Sequence, residues 1–274
     1  MNIGNPAPFP YRLIATDLDG TLLHSDGSLS VRTAHIVAAL AANRVPLVLV
    51  SARPPRILHH LAQHYGLQGT AICCNGAIVY DLVRATIVGH QPLAYALAVR
   101  VAAALKRVLP GVCFAWERGL KFGCEPAFAA LHPPAAAEIR HPVDFRTLHE
   151  APFTKLIVLD PDQPPEVLLA QARSIAGGAV TLTHSGAPFI EISAPGVDKA
   201  RALRHLAYDR RIPVSSIIAF GDMPNDLPMF DLAGYAVAVA NAHPRVLAQA
   251  NEITGSNDDD GVAAVLERLF ATGA

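Results

Sequence analysis

Arg12-Leu13-Ile14-Ala15-Thr16-Asp17-Leu18-Asp19-Gly20-Thr21-Leu22-Leu23 is the stretch on which the reading of the chain turns. A short apolar run ends in two carboxylates one residue apart, and a glycine follows at once. Such a run next to a glycine turn reads as a buried strand feeding a loop. In an open α/β sheet, ligands sit just outside the carboxyl ends of the strands. Asp17 and Asp19 therefore stand where chemistry is expected. A bare D-x-D also fits a capped strand end with two solvated acids. The full D-L-D-G-T-L-L, with further stretches downstream, argues for a site.

Bulk composition narrows the classes. The chain has 274 residues, enough for one large or two modest domains, and 51% of them are hydrophobic, so a sizeable core is expected. With 22 basic and 23 acidic residues the net charge is −1, which gives no general pull toward nucleic acid or an anionic membrane. No apolar run reaches the roughly 18 residues of a membrane span. The richest candidate, 93–109, carries Arg100, Lys106 and Arg107 and reads as an amphipathic helix. Met1 to Pro10 lacks the basic start and apolar core of a signal peptide and reads as a loose tail. Cys73, Cys74, Cys113 and Cys124 form no C-x-x-C pair, so buried thiols in a reducing cytoplasm are expected. His60 and His64 share a helical face, but no Glu completes an H-E-x-x-H pattern, and they read as surface polar residues.

The first section alternates strand and helix. Strands are predicted over 12–16, 45–50 and 70–74, with a helix from the cap Ser30 to about Asn43 and another opened by Pro54-Pro55 and closed by Gly66. Asn75-Gly76 signals a two-residue hairpin returning over 77–80. This alternation predicts a parallel sheet wrapped by helices. After Asp81 the character changes. Residues from about 84 to 190 hold the helix 93–109, strand-like pieces, a helix over 164–176 ended by Gly177-Gly178, strands over 156–159 and 179–183, and turns at Pro126, Pro133 and Pro134, with a strand over 189–192 at the end of the section. The first pattern then resumes: helix 198–210, strand 216–220, helix 226–232, strand 235–239, and helices 244–250 and 261–270. The expected organisation is thus a core of residues 1–83 and 190–274 with a second α/β unit, 84–189, inserted.

Several polar residues fall at predicted strand or helix ends: Asp17 and Asp19, Ser51, Lys199, and the loop Gly221-Asp222-Met223-Pro224-Asn225-Asp226. Taken singly, Ser51 also reads as a helix cap, Lys199 as a solvated first-turn residue, and Asp222 and Asp226 as turn and cap acids. Taken together, four carboxylates at one pocket mouth repel: a pair of unit charges about 4 Å apart is worth roughly 4 kcal/mol at an effective dielectric of about 20. A divalent cation removes that cost, and an all-oxygen ligand set favours Mg2+ over Zn2+.

With those residues in hand, the chain resembles haloacid dehalogenase-superfamily phosphatases of the Cof-like branch. The match runs in order through Asp17-Leu18-Asp19-Gly20-Thr21, Ser51-Ala52-Arg53, Lys199 and Gly221–Asp226, with Asn75-Gly76-Ala77 and Asn257–Val262 also typical of the branch. Ser51-Ala52-Arg53 stands where Thr/Ser-Gly-Arg is usual, and Met223-Pro224 where Gly and Glu or Ser are common; neither change removes a functional group. The resemblance implies a doubly wound, mostly parallel Rossmann-like core with an inserted α/β cap. It further implies Asp17 as nucleophile, forming an aspartyl-phosphate, and Asp19 as general acid and base. Mg2+ would be held by Asp17, the Asp19 carbonyl and Asp222, and phosphoryl oxygens by Ser51, Lys199 and Asn225. Asn225 and Asp226 would orient Lys199, Ser51 or metal-bound water. Gly20 and Thr21 would shape the loop, with Thr21 supporting Asp17, and Arg53 and Asn75 would face the core–cap junction.

The implied activity is Mg2+-dependent hydrolysis of a small phosphorylated metabolite such as a sugar phosphate, by a cytoplasmic monomer or homodimer. A phosphosugar mutase, or a phospho-ligand sensor without turnover, is the alternative; sensing needs no general acid. In the cap, Trp116-Glu117-Arg118-Gly119-Leu120-Lys121 mixes an aromatic with both charge signs and reads as a solvated strand edge or a substrate-contacting segment.

Overall fold

The computed structural model describes residues 10–132 and 151–272. The loose tail expected at the N-terminus, up to residue 9, and the turns at Pro133 and Pro134 lie outside the described residues.

Apolar, branched runs form the strands of a large sheet. β1 (Leu13–Thr16) is buried along its whole length. It pairs in parallel with β2 (Leu47–Val50) on one side and β11 (Ile217–Gly221) on the other. β3 (Thr70–Cys73) extends the sheet beyond β2, while β12 (Tyr235–Ala238) and β13 (Glu252–Ile253) extend it beyond β11, all in parallel. The chain therefore winds outward in two directions from the boundary between β1 and β11. That boundary is a topological switch point, where a crevice opens at the carboxyl ends.

The helices follow their local signals. α1 (Val31–Ala42) is capped by the Ser30 hydroxyl, which accepts from the Thr33 N–H at 2.9 Å. α2 (Pro55–Tyr65) opens on a proline and closes at Gly66 in the left-handed region. His60 and His64 are exposed on it, as expected.

Two expectations shift here. The Asn75-Gly76 hairpin forms, but not as a two-residue loop: Cys73 pairs with Ile78, and Cys74, Asn75 and Gly76 all take positive φ (52, 54 and 104°). The longer turn turns the chain back while bonding the Asn75 N–H to the Ser51 carbonyl at 3.1 Å. The expected boundaries at 84 and 189 also move. After β4 (Ile78–Asp81), β5 (Thr86–His90) pairs with it at the edge of the large sheet, whereas β10 (Ile190–Ser193) belongs to the second sheet. An exposed, alternating strand such as 86–90 carries little apolar signal, which is why the sequence reading misses it.

The second sheet is antiparallel, in the order β7 (Lys121–Cys124), β6 (Cys113–Arg118), β8 (Lys155–Leu159), β10, β9 (Thr181–Thr183). Strand side chains alternate faces. One face, with Phe114, Trp116, Leu156, Val158, Ile190 and Ile192, is buried with α3 (Tyr95–Val108) and α5 (Pro165–Ala176) in the main apolar core. The other face carries Cys113, Ala115, Ile157 and Leu159 in a separate cluster with Phe128. Phe128 lies on α4 (Pro126–Leu131), where Pro126 starts a helix rather than a turn. Of the 116–121 stretch, Trp116 and Glu117 are buried, whereas Leu120 and Lys121, where the chain turns into the edge strand β7, are exposed. All four cysteines are free and buried, and burial pushes the Cys74 thiol up to about 12.

Candidate active site

Parallel pairing brings together residues distant in sequence. Thr16 lies opposite Phe220 and Leu49, so the chain leaving β1, β11 and β2 delivers Asp17, Asp222 and Ser51 to one rim. β3 ends beside them and delivers Asn75. α6 (Lys199–Asp209) is capped by Asp198, whose carboxylate accepts from the Arg201 N–H at 2.6 Å, and it begins with Lys199. A side chain at Gly76 would place its Cβ 2.2 Å from the Asp198 carbonyl oxygen, so only glycine lets the turn sit against the start of this helix.

Lys199 is buried, with its Nζ donating to Asp17 Oδ1 at 2.5 Å and Asp226 Oδ1 at 2.6 Å. Burial alone pulls the ammonium pKa down; the two carboxylates outweigh it, and the net direction is up, so Lys199 is a fixed cation. Asp226 is fully used: Oδ1 accepts from Lys199, and Oδ2 accepts the N–H groups of Asp222 and Met223 at 3.1 and 3.0 Å. Thr21 donates its hydroxyl to Asp222 Oδ1 at 2.7 Å. This corrects the expectation that Thr21 supports Asp17. The two residues leave the same crevice from opposite strands, and Asp222 is the carboxylate that the loop after Asp19 meets.

Each of Asp17 and Asp222 thus has one oxygen held, and among the described residues the other has no hydrogen-bond partner. Carboxylate oxygens of Asp17, Asp222 and Asp226 lie within 4.8 Å of one another. Burial, only partly offset by Lys199, holds the Asp17 carboxyl well above the usual range. Burial and then Asp226 raise Asp222 to about 6. Three buried carboxylates share one lysine, so the site is short of positive charge. Two free carboxylate oxygens facing that deficit suit a hard divalent cation. The acidic cluster adds Asp226 to the expected Asp17 and Asp222, and the Asp19 side chain, which was not expected as a ligand, stands outside it. Arg53 covers that side chain, with Nε donating to Asp19 Oδ2 at 2.8 Å and an Nη2 contact to Oδ1. Gly20, at φ 78°, approaches Asp222 so closely that a Cβ would lie 2.6 Å from Oδ2.

Ser51 is buried at the rim, and its Oγ accepts from the Arg53 N–H at 3.0 Å. Asn225 meets neither Lys199 nor Ser51: its Nδ2 donates to Asn75 Oδ1 at 3.0 Å, and its Oδ1 is buried without a partner among the described residues. An open acceptor suits a donor such as a bound water better than an anionic phosphoryl oxygen. Asn75 Nδ2 donates in turn to Glu191 Oε2 at 2.7 Å and Thr183 Oγ1 at 3.2 Å, which ties the turn after β3 to the small sheet.

Three charged residues, Lys155, Glu191 and Arg56, escaped the sequence reading. Lys155 and Glu191 form a buried pair, and Lys155 also donates to the Ala52 carbonyl at 2.9 Å, joining the small sheet to the loop after β2. Arg56 holds Glu117 in a two-pronged pair at 2.5 and 3.1 Å. Glu191 stands between two isoleucines, and that charge inside a strand was the available signal; Lys155 opens its strand and gave none. A cavity of about 340 Å3 lies between the sheets and is lined by Asp17, Asp19 and Asn225 on one side and by Glu117, Phe122 and Phe128 on the other.

Comparison with known proteins agrees with this architecture. A family model described as haloacid dehalogenase-like hydrolase matches residues 14–266. The pyridoxal phosphate phosphatase YbhA of Escherichia coli is 26% identical, over 92% of this chain and 96% of that protein. The 5-amino-6-(5-phospho-D-ribitylamino)uracil phosphatase YitU of Bacillus subtilis is 27% identical, over 96% and 98%. The crystal structure of a haloacid dehalogenase-like hydrolase from Bacteroides thetaiotaomicron superposes with a TM-score of 0.79 at 27% identity, over 94% and 99%.

Proposed function

Because this chain belongs to the haloacid dehalogenase-like hydrolases, we propose that it hydrolyses the phosphomonoester of a small metabolite through an aspartyl-phosphate on Asp17. The observation that carries the reading is the placement of Asp17 at the end of β1. One oxygen is locked by Lys199, the other is free, and the cavity shared with Asp19 opens in front of it. A nucleophile held at one oxygen presents the second in a fixed direction, which lowers the entropy cost of attack. Lys199, fixed as a cation by Asp226, stays beside the phosphoryl group as its charge shifts during transfer. The buried Ser51 hydroxyl lies at the same rim to donate to a phosphoryl oxygen.

Asp19 is the proton-transfer group in this reading. Arg53 donates to both of its oxygens, and each oxygen keeps a second lone pair through which a proton can be taken or given. Mg2+ would be held by Asp17 and Asp222, with the Asp19 carbonyl, and when bound supplies the charge that offsets repulsion between carboxylate and phosphate. The second sheet and its helices act as a cap that recognises the leaving group and excludes bulk water. Phosphatase names among the relatives support the reaction class. The buried free thiols fit a reducing cytoplasm.

The test is phosphate release from p-nitrophenyl phosphate with Mg2+. Turnover is expected to vanish in EDTA and to return with added Mg2+. Asp17→Asn is expected to abolish turnover with an unchanged circular dichroism spectrum; a variant that still turns over would remove Asp17 from the nucleophile position.

A further inference from the structure

Resting on the phosphohydrolase reading above, we propose that the alcohol released by this enzyme carries a flat aromatic ring, seated on the cavity face of the small sheet. The site-facing side of that sheet is apolar away from its charged pairs, and its cluster is separate from the main core. It opens into the same cavity as Asp17 and Asp19, where the body of any bound phosphomonoester must lie. Phe128 and Phe189 stand 6.5 Å apart, centroid to centroid. The His132 ring lies 5.8 Å from Phe128 and 5.7 Å from Phe189, tilted at 72° and 81°. These are the edge-to-face spacings at which aromatic rings attract, and Phe122 and Ile157 line the wall beside them.

The charged side chains that line the cavity stand in pairs, Arg56 with Glu117, Lys155 with Glu191 and Arg53 with Asp19, and Phe122, Phe128, Ile157 and Phe189 supply its apolar wall. A ring buries against that wall without giving up the hydration that a hydroxylated body would lose there. The volume of about 340 Å3 suits a single ring with a short arm, near the low end of the roughly 300–1,000 Å3 typical of small-molecule sites.

The experiment compares kcat/KM of the Mg2+-loaded enzyme on benzyl phosphate, cyclohexylmethyl phosphate, glycerol 3-phosphate and glucose 6-phosphate. All four release primary alcohols, so differences report on the body of the substrate. Benzyl phosphate is expected to exceed the two polyol phosphates by roughly tenfold or more. It should exceed its saturated isostere by about 2–10-fold, the worth of an aromatic pair beyond apolar burial. Phe189→Leu, at a half-buried position, should bring the benzyl-to-cyclohexylmethyl ratio close to one, and Phe122→Leu should lower it. A polyol phosphate turned over as well as benzyl phosphate would overturn the proposal, as would a ratio untouched by both variants. Hydrolysis of none of the four, nor of p-nitrophenyl phosphate, would instead remove the phosphohydrolase reading and this proposal with it.

Discussion

Asp222 shows how far a single hydrogen bond shapes the candidate site. Thr21 holds one of its oxygens and so fixes the direction of the other, and a carboxylate oxygen of Asp222 lies within 4.8 Å of one from Asp17. Partners of this kind orient a metal ligand, and their loss costs about 10–100-fold in metal affinity. Thr21→Val is therefore expected to raise the Mg2+ concentration for half-maximal activity by roughly that factor. A Mg2+ titration of initial rates measures it, and an unchanged midpoint would separate Thr21 from the metal site. Gly20→Ala should be more severe, because its Cβ would press on the free Asp222 oxygen at 2.6 Å from a φ of 78°. Asp17 and Asp222 were legible in the sequence because strand ends announce themselves locally. Which carboxylate Thr21 meets was not, since 201 residues separate the partners.

Between elements, the junction of the two sheets is held by a chain of polar contacts. Asn225 on the loop after β11 donates to Asn75, Asn75 donates to Glu191 on β10, and Glu191 pairs with Lys155 on β8. Lys155 and Glu191 are diagonal neighbours on one face of the sheet, since Glu191 lies opposite Ile157 and Ser193 opposite Lys155. Removing one partner of such a buried pair costs about 3–5 kcal/mol, because the other charge is left buried alone. Glu191→Ala should thus lower the apparent Tm by several degrees, while the double change Lys155→Met with Glu191→Leu should recover much of the loss. Calorimetry of the single and double variants decides it; equal losses in both would mean that the pair is not coupled. The hairpin after β3 makes a second point at this scale. Its glycine was expected for a tight turn, but it is also needed because α6 lies against it. Gly76→Ala should displace the start of that helix, and with it Lys199, so turnover should fall much further than stability.

Over the whole molecule, the residues proposed as catalytic lie at the rim of the large sheet and the apolar wall on the small one. Exchanging residues 91–195 for the corresponding segment of a relative should move the order of kcat/KM across a panel of phosphorylated metabolites, while the dependence on Asp17 and Mg2+ persists. An unchanged order would locate specificity in the large sheet and its loops. The cut follows the strand pairing rather than the change in composition near 84, because β5 stays with the large sheet. Among the described residues, no helix is long and apolar enough to cross a membrane.

What the sequence by itself determined were the features that short-range physics controls. The Ser30 cap, the proline and glycine bounds of α2, the buried strands, and the positions of Asp17, Ser51, Lys199 and Asp222 at their ends follow from local sterics, hydrogen bonding and apolar patterning. Only the tertiary structure decided the partners. Thr21 with Asp222, Arg53 with Asp19, Asn225 with Asn75, and Lys155 with Glu191 all depend on strand order, register and the seating of one sheet over the other. A hydrogen bond forms or fails within a few tenths of an ångström, and placement that fine is set by the packing of distant segments, to which no local window of sequence has access.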